Sequence, residues 1–194
     1  MLKTKLKKYD IILASASPRR KQLLEELGIP FEVQIKNVDE SFPSDLNTEE
    51  VAAYLSTLKS NAFPDEDFNQ RTLIITADTI VTIDGKILGK PTDREDAIQI
   101  LKQLSGKKHQ VITGVTLRSK NKQIVFSVTT DVYFKALSND EIEFYVDTFK
   151  PFDKAGAYGI QEWIGHVAIE KIEGSYFNVM GLPTHRLYEE MMTF

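Results

Sequence analysis

The segment from Ile12 to Gly28 constrains the fold most, because an apolar run ends there at two serines and a proline then opens a helical pattern. Ser17 is predicted to be the helix N-cap and Pro18 the first helical residue, since both residue types are preferred at those positions. Gly28 is predicted to end the helix, after a stripe of leucines. The segment therefore predicts a buried strand, a serine turn and a helix in direct succession.

The first turn of this predicted helix carries three cations, Arg19, Arg20 and Lys21. Basic side chains are normally favoured at the opposite end of a helix, because the N-terminus already carries partial positive charge. Free backbone N–H groups, the hydroxyls of Ser15 and Ser17 and the guanidinium groups would together suit an anion, and phosphate is the expected one. The alternative left open is a basic turn that is merely solvated.

Composition excludes several classes of protein. The chain has 194 residues, enough for one large domain or two small lobes with a buried core. A net charge of −4 argues against a general polynucleotide-binding protein, although a small anion can still bind where cations gather. The sequence has no cysteines and no apolar run long enough to span a bilayer. We therefore expect a cytoplasmic protein without membrane contacts, and a solvated basic arm at residues 1–9.

Helical and strand patterns alternate along the chain without repeats. Strands are predicted at 11–14, 31–35, 73–76, 80–83, 109–117 and 124–134, and an exposed loop at 63–70. Asp84-Gly85 predicts a two-residue hairpin turn. Helix caps are predicted at Thr48, Thr92 and Ser138, the last two as capping boxes, and a final helix at about 184–192. The predicted fold class is α/β (mixed α+β), with a mixed sheet.

Asp78 interrupts a β-rich run from Ile74 to Val81. Burying an unpaired carboxylate costs several kcal/mol, so this side chain must meet a cation, a metal ion or solvent in a cleft. The alternative is an Asx turn between two strands, which aspartate followed by threonine forms readily. The local pattern favours neither interpretation over the other.

Two adjacent acids and two lysines are further candidates for functional residues. Asp39 and Glu40 follow a predicted strand and offer oxygen ligands to a hard divalent cation, although adjacent acids in loops are often only solvated. Lys90 stands between a glycine and a proline just after the hairpin, and Lys59 lies on or just after a predicted helix. The alternative for both lysines is an ordinary surface position.

Two segments rich in small residues are predicted to be loops. Residues 153–161 contain glycine and alanine, which allow a ligand or another backbone to approach closely. Gln161 at the end of this segment offers an amide that can read the edge of a base. Residues 173–178 and 181–183 are predicted to form a loop of the same kind. The three histidines lack metal-ligand spacing and are predicted to be structural or exposed.

Six segments, taken in order, resemble the motifs of the Maf family. They are Leu13-Ala14-Ser15-Ala16-Ser17-Pro18-Arg19-Arg20, Ala77-Asp78-Thr79, Leu88-Gly89-Lys90-Pro91, Leu104-Ser105-Gly106 with Thr113-Gly114-Val115, Asp153 through Gln161, and Glu173-Gly174-Ser175-Tyr176 through Pro183. The resemblance implies a single Maf-like domain over 1–194, with two lobes, a central mixed sheet flanked by helices and a cleft, similar to inosine-triphosphate pyrophosphatases. It also implies hydrolysis of a nucleoside triphosphate to its monophosphate and pyrophosphate with a divalent metal cation, Mg²⁺ or Mn²⁺.

The resemblance also implies roles for individual residues. Asp78 matches the family's proton acceptor, and the positions associated with substrate choice are Arg19, Thr79 and Gln161. With the serines of the turn, the phosphate-binding set is Ser15, Ser17, Arg20, Lys59 and Lys90, and the metal set is Asp39, Glu40 and Asp78. Ser-Pro-Arg-Arg and Tyr-Gly-Ile-Gln resemble the dTTP/UTP branch more than the branch that acts on 7-methyl-GTP. Glu162-Trp163-Ile164 departs from the glycine-rich stretch of many members, and the bulky Trp163 is expected to affect the base pocket.

The expected function is therefore hydrolysis of dTTP and UTP, with modified pyrimidine nucleotides left open. The expected partner is the nucleoside triphosphate substrate, without polynucleotide or membrane, and a homodimer is left open. A second class of function also stays open, a nucleotide-binding regulator of cell division and septum formation that acts through a protein partner.

Overall fold

Seven strands form one mixed sheet in the computed structural model, which describes residues 2–194. The strands are β1 (Asp10–Leu13), β2 (Glu32–Val33), β3 (Thr72–Ile83), β4 (Lys86–Leu88), β5 (Lys108–Ser119), β6 (Gln123–Phe134) and β7 (Ile169–Glu173). Their order is β2-β1-β3-β5-β6-β7, with β4 paired to β3. β1 is parallel to β2 and β3, whereas β3–β4 and β6–β7 are antiparallel, which confirms the predicted mixed sheet.

The helices lie between these strands and at both ends of the described chain. They are α1 (Leu2–Leu6), α2 (Pro18–Glu26), α3 (Thr48–Asn61), α4 (Arg94–Leu104), α5 (Asn139–Phe149), α6 (Trp163–Ala168), α7 (Tyr176–Met180) and α8 (Thr184–Thr193). Short 3₁₀ turns occupy Asp65–Asp67 and Ala155–Ala157. Within residues 2–194, no helix has the length and apolar character that a membrane crossing requires.

The residues group into two compact units. The first contains the described residues through Asp78 together with Thr113–Val128 and Gly181–Phe194, and the second contains Thr79–Ile112 and Thr129–Met180. The long strands β3, β5 and β6 each contribute residues to both units.

The serine turn of the first unit forms as the sequence predicts. β1 ends at Leu13, and α2 begins at Pro18 with Ser17 as its N-cap. The Ser17 hydroxyl accepts the Arg20 backbone N–H at 3.4 Å, which satisfies one of the unpaired donors of the first helical turn. Gly28 follows the helix with φ of 70°, a conformation that glycine adopts without strain.

Helix α3 approaches strand β5 very closely in the first unit. A Cβ atom at Gly114 would lie 2.2 Å from the carbonyl oxygen of Ala52, so only glycine fits there. Ser56 of the helix and Thr116 of the strand share a buried hydrogen bond of 2.9 Å between their hydroxyls. The helix starts one residue earlier than predicted, because Asn47 rather than Thr48 is the N-cap and forms a capping box with Glu50.

The predicted solvated arm at residues 1–9 is instead partly folded. Leu2–Leu6 form α1, whose two leucines are buried while the Lys5 side chain stays exposed. This helix packs against α8 in the same unit, and Lys5 donates to the carbonyl oxygen of Met192. The many lysines of this segment led to the prediction of a solvated arm. The two leucines are four residues apart, a spacing that places both on one face of a helix.

Two further predictions for the first unit need correction. The strand predicted at 31–35 is limited to Glu32–Val33. The loop predicted to be exposed at 63–70 includes a 3₁₀ turn, and its aromatic residues Phe63 and Phe68 are buried. Aromatic side chains supply large apolar areas, and their burial outweighs the polar character of the residues between them.

The second unit confirms the hairpin and one of its helix caps. Asp84 and Gly85 both have positive φ, 51° and 75°, as a two-residue turn between β3 and β4 requires. Ser138 caps α5 with a complete capping box. The cap predicted at Thr92 is wrong by one residue, because Asp93 is the N-cap of α4 and accepts the backbone N–H of Asp96 at 2.8 Å.

The end of the second unit has more regular structure than the sequence predicts. The chain forms α6 and then β7, which pairs antiparallel with β6. The predicted loop at 173–178 contains the start of α7, and Asn178 of this helix donates to the Val111 carbonyl and the Thr130 hydroxyl, each at 3.0 Å. Such short elements have too few residues to show a periodic pattern.

Replacing Gly114 by alanine should destabilise the protein by about 2–4 kcal/mol, because the added methyl group must displace the α3 backbone from β5. Urea unfolding measures this free energy. Gly89→Ala is the matched control, since a Cβ atom there would meet nothing within 4 Å, and it should change the free energy by less than about 0.5 kcal/mol. Equal effects of both substitutions would contradict the close approach of α3 to β5.

His109 should make stability depend on pH. Its side chain is buried, with Nε2 2.8 Å from the Tyr158 hydroxyl, and burial lowers the pKa of His109 to about 4 against an opposing effect of Asp131. The unfolded chain accepts this proton near pH 6.5, so it binds more protons than the folded protein between pH 6.5 and 4. Stability is therefore complete above about pH 7 and should fall by about 2 kcal/mol from pH 7 to pH 5.

Urea unfolding at the two pH values tests this prediction. His109→Gln should remove most of the difference, because glutamine does not titrate. His185→Gln should retain it, since the His185 side chain is 83% exposed. A wild-type difference that persists unchanged in His109→Gln would assign the pH dependence to other groups.

Candidate active site

Asp78 lies inside the continuous strand β3 and is buried, with 7% of its surface exposed. The alternative of an Asx turn between two strands is therefore wrong. The Asp78 carboxylate accepts a hydrogen bond from Nζ of Lys59, in the last turn of α3. The acid thus meets a cation, as its burial requires.

Lys59 connects two carboxylates. Besides Asp78, its Nζ contacts Oε1 of Glu40 at 2.9 Å. Only 17% of the Lys59 side chain is exposed, so the alternative of an ordinary surface lysine is wrong. Asp39 belongs to a different arrangement, since the residue is exposed and its Oδ1 accepts the backbone N–H of Ser41 at 3.1 Å. Of the two adjacent acids, Glu40 is the one that Lys59 contacts.

The guanidinium group of Arg20 is held by Ser15 of the serine turn and by the backbone at Gly181. Ser15 Oγ accepts the backbone N–H of Ser17 at 3.2 Å and lies 3.4 Å from Nη1 of Arg20. Nε of Arg20 donates to the carbonyl oxygen of Gly181 at 2.8 Å. Gly181 has φ of 114°, which favours glycine, so this backbone conformation aims a carbonyl at the guanidinium group.

Arg20 and Lys21, in the same helical turn, have different environments. Burial lowers the pKa of Arg20, whereas Asp78 and Glu40 raise it and Arg19 lowers it further. These acids and Arg20 are therefore close enough to interact electrostatically. Lys21 is more than half exposed and its nearest acid is Glu25, at 3.8 Å. The interpretation as a merely solvated basic turn fits Lys21 but not Arg20.

Two acidic residues of the first unit contact a cation of the protein itself. Within residues 2–194, no group of three or more histidine, aspartate or glutamate side chains could hold a metal ion. Glu40 and Asp78 both contact the ammonium group of Lys59, which supplies positive charge at this place.

Three candidate residues belong to the second unit. Thr79 follows Asp78 in β3, and Lys90 is exposed just beyond β4. The side-chain oxygen Oε1 of Gln161 is buried and has no hydrogen-bond partner among residues 2–194. A buried unpaired acceptor is costly, so this oxygen is a candidate to accept a hydrogen bond from a ligand.

The model of the family described as "Maf-like protein" matches residues 10–194. The chain belongs to the Maf family.

Relatives in the Maf family are similar over almost their whole length. A dTTP/UTP pyrophosphatase of Christiangramia forsetii is 51% identical over 98% of this chain and 97% of its own. Proteins with the same name from Porphyromonas gingivalis and Phocaeicola vulgatus are 50% and 53% identical, with 96% of each covered. A solved structure, the Staphylococcus aureus Ham1 protein, has a TM-score of 0.53 with 16% identity and covers 95% of this chain and 98% of its own, which shows a similar fold.

Sequence reasoning missed one partner of a site residue and the contacts of another residue's neighbour. The Gly181 carbonyl that contacts Arg20 was visible only as part of a predicted loop. Glu162, which follows Gln161, stood out only as a departure from the Maf pattern, yet it contacts Tyr145 and Lys154. A usable signal existed at Tyr145, because a buried tyrosine in an apolar helix face needs a partner for its hydroxyl.

Arg20→Lys should weaken the binding of inorganic pyrophosphate about tenfold, because lysine keeps the charge but loses the planar fork that Ser15 and Gly181 orient. Isothermal titration calorimetry measures the dissociation constants. Lys21→Met is the control, and it should change binding less than about twofold since its charge is solvated. Equal weakening by both substitutions would mean that net charge alone attracts the anion.

Proposed function

We propose that this chain is a hydrolase that converts dTTP and UTP to their monophosphates and pyrophosphate. The observation that carries the proposal is the identity of about half of all residues, over nearly the whole chain, with Maf proteins named dTTP/UTP pyrophosphatase. The similarity covers 96–98% of this chain, so it is not confined to one segment.

The charge cluster of the first unit supports the proposed reaction. A triphosphate is strongly anionic, and attack on its α-phosphorus needs cations that neutralise the charge of the phosphates. Arg20 interacts electrostatically with Asp78 and Glu40, and Lys59 contacts both of these acids. Lys90 is the third cation of the proposed phosphate-binding set. Ser15 and Ser17 add hydroxyl groups to the same turn.

Asp78 is the proposed general base. Its carboxylate would orient the attacking water and accept a proton, while Lys59 fixes the position of that carboxylate. A carboxylate alone is a weak base, and a bound Mg²⁺ or Mn²⁺ would lower the pKa of water and neutralise phosphate charge. Glu40, Asp78 and Asp39 are the proposed ligands on the strength of the Maf resemblance, and carboxylate oxygens are the donors that Mg²⁺ prefers.

Gln161 supports the choice of uracil and thymine bases. Both bases carry an N3–H donor, whereas the N3 atom of cytosine carries no hydrogen. The buried oxygen Oε1 of Gln161 has no partner among residues 2–194, and an N3–H would satisfy it. We assign Arg19 and Thr79 to substrate choice on the strength of the Maf resemblance.

Three finer assignments belong to the same proposal. Nucleoside triphosphates are supplied in the cytoplasm, so we place the protein there, and a homodimer stays a prediction. The regulator of septum formation is the less supported alternative, because a buried acid joined to cations suits hydrolysis better than binding alone.

The test is pyrophosphate release from dTTP, UTP, CTP and purine nucleotides with Mg²⁺ or Mn²⁺. Wild type should prefer dTTP and UTP over CTP by at least about tenfold, the equivalent of one hydrogen bond. Asp78→Asn should reduce kcat by about 10²–10⁴-fold, the usual contribution of a general base, and leave nucleotide binding nearly unchanged. Asp10→Asn is the control, since this exposed β1 aspartate also pairs with a cation, Arg71.

The outcomes separate the parts of the proposal. Release confined to purine or methylated nucleotides would keep the enzyme class and overturn the roles of Arg19 and Gln161. Binding without release from any nucleotide would favour the regulator. Loss of binding in Asp78→Asn with normal turnover of the bound fraction would contradict the role of Asp78.

A further inference from the structure

Gln161 occupies a tight turn of the second unit that is closed by the backbone. The N–H of Glu162 donates to the carbonyl oxygen of Gly159 at 3.0 Å, which makes Gln161 the third residue of a four-residue turn. A Cβ atom at Gly159 would lie 2.8 Å from the carboxyl carbon of Glu162. The Glu162 side chain therefore folds back over the start of its own turn.

The Glu162 carboxylate is bound by two side chains. Oε1 contacts Nζ of Lys154 at 3.1 Å, and Oε2 accepts a hydrogen bond from the hydroxyl of Tyr145. The Tyr145 hydroxyl in turn accepts the backbone N–H of Gly159 at 3.1 Å. One chain of polar contacts thus joins the last residue of the turn to its first, through a fully buried tyrosine of α5.

The burial of Lys154 makes this arrangement specific. The residue is 8% exposed, and an ammonium group at that depth needs a carboxylate partner. Asp153 supplies one at 2.7 Å, but its own side chain is 60% exposed, whereas the Glu162 side chain is 19% exposed. Glu162 is therefore the partner that fixes Lys154 on its buried side.

The carboxylate of Glu162 does not cap the helix that begins after it. Glu162 is the N-cap of α6, where an acidic side chain normally accepts a backbone N–H of the first helical turn. Here it makes no such bond. The carboxylate is bound instead by Lys154 and Tyr145, and the second of these also holds the first residue of the turn that carries Gln161.

We propose that Glu162 is a positioning residue for base recognition, which through Tyr145 and Lys154 fixes the turn that presents Gln161. The inference rests on the proposed function, in which Gln161 reads the base. Fully satisfied buried polar networks restrict a segment to one conformation, and a displacement of about 1 Å is enough to lose a discriminating hydrogen bond.

The test compares UTP with CTP in the same enzyme preparation. The ratio of their kcat/KM values is independent of the fraction of folded protein, so a merely structural defect does not change it. Tyr145→Phe and Glu162→Gln should each lower the UTP/CTP ratio about tenfold, the equivalent of one hydrogen bond, mainly through a higher KM for UTP. The amide of Gly159 should also exchange its hydrogen faster in Tyr145→Phe, since it loses its acceptor.

A matched control exists on β6 and β7. Tyr133 donates to Glu173 at 2.6 Å, and Lys171 contacts the same carboxylate, so tyrosine, glutamate and lysine recur there as an exposed group. Tyr133→Phe should leave the UTP/CTP ratio unchanged. In a Gln161→Ala background, Glu162→Gln should have no further effect on the ratio, because the residue through which it acts is gone.

The results distinguish this inference from the proposed function. A wild-type enzyme that does not prefer UTP over CTP would overturn both. A wild-type preference that Tyr145→Phe and Glu162→Gln retain in full would overturn the positioning role alone. A lowered ratio that falls equally in Tyr133→Phe, or falls again in the Gln161→Ala background, would also overturn it.

Discussion

The charge of Asp78 inside β3 is the constraint on which the first unit depends. A carboxylate within an apolar strand is tolerated only with a cation, and Lys59 is brought to it by α3. That helix reaches the position because Gly114 in β5 has no side chain, which lets the backbone at Ala52 approach. The strand residue Thr76 also donates to the Ser56 carbonyl at 2.6 Å. A glycine in one strand thus determines the environment of an acid in another.

Each unit contains a lysine whose ammonium group contacts two carboxylates. In the first, a lysine joins Asp78 and Glu40; in the second, Lys154 joins Asp153 and Glu162. Buried ion pairs add little net stability, because desolvation offsets most of the attraction. They do restrict geometry, since each lone pair and each N–H must meet its partner. Both groups include or adjoin residues that are proposed to touch the substrate, so fixed geometry is the property that they supply.

The sequence predicts most of what is local and little of what is distant. Ser17, Pro18 and Gly28 give the bounds of α2 because capping and positive φ are properties of single residues. The caps at Asn47 and Asp93 each lie one residue from the predicted position, because neighbouring side chains compete for the same backbone N–H groups. For Asp78 the local pattern could not decide, since its partner Lys59 lies 19 residues away on another element. The Maf motifs indicate the candidate site residues. The contacts among those residues join different elements, so the sequence does not predict them.

Glu162-Trp163-Ile164 shows how bulky side chains are accommodated beside a turn. The ring of Trp163 lies edge-on against Phe144 of α5, with 5.0 Å between ring centroids. The expected effect of Trp163 on the base pocket stays a prediction. The neighbouring Glu162 bonds to Tyr145, so consecutive residues at the start of α6 contact consecutive residues of α5. A glycine after Gln161 would have neither anchor. These two contacts attach the end of the turn to α5, so the backbone at Gln161 is held in one conformation.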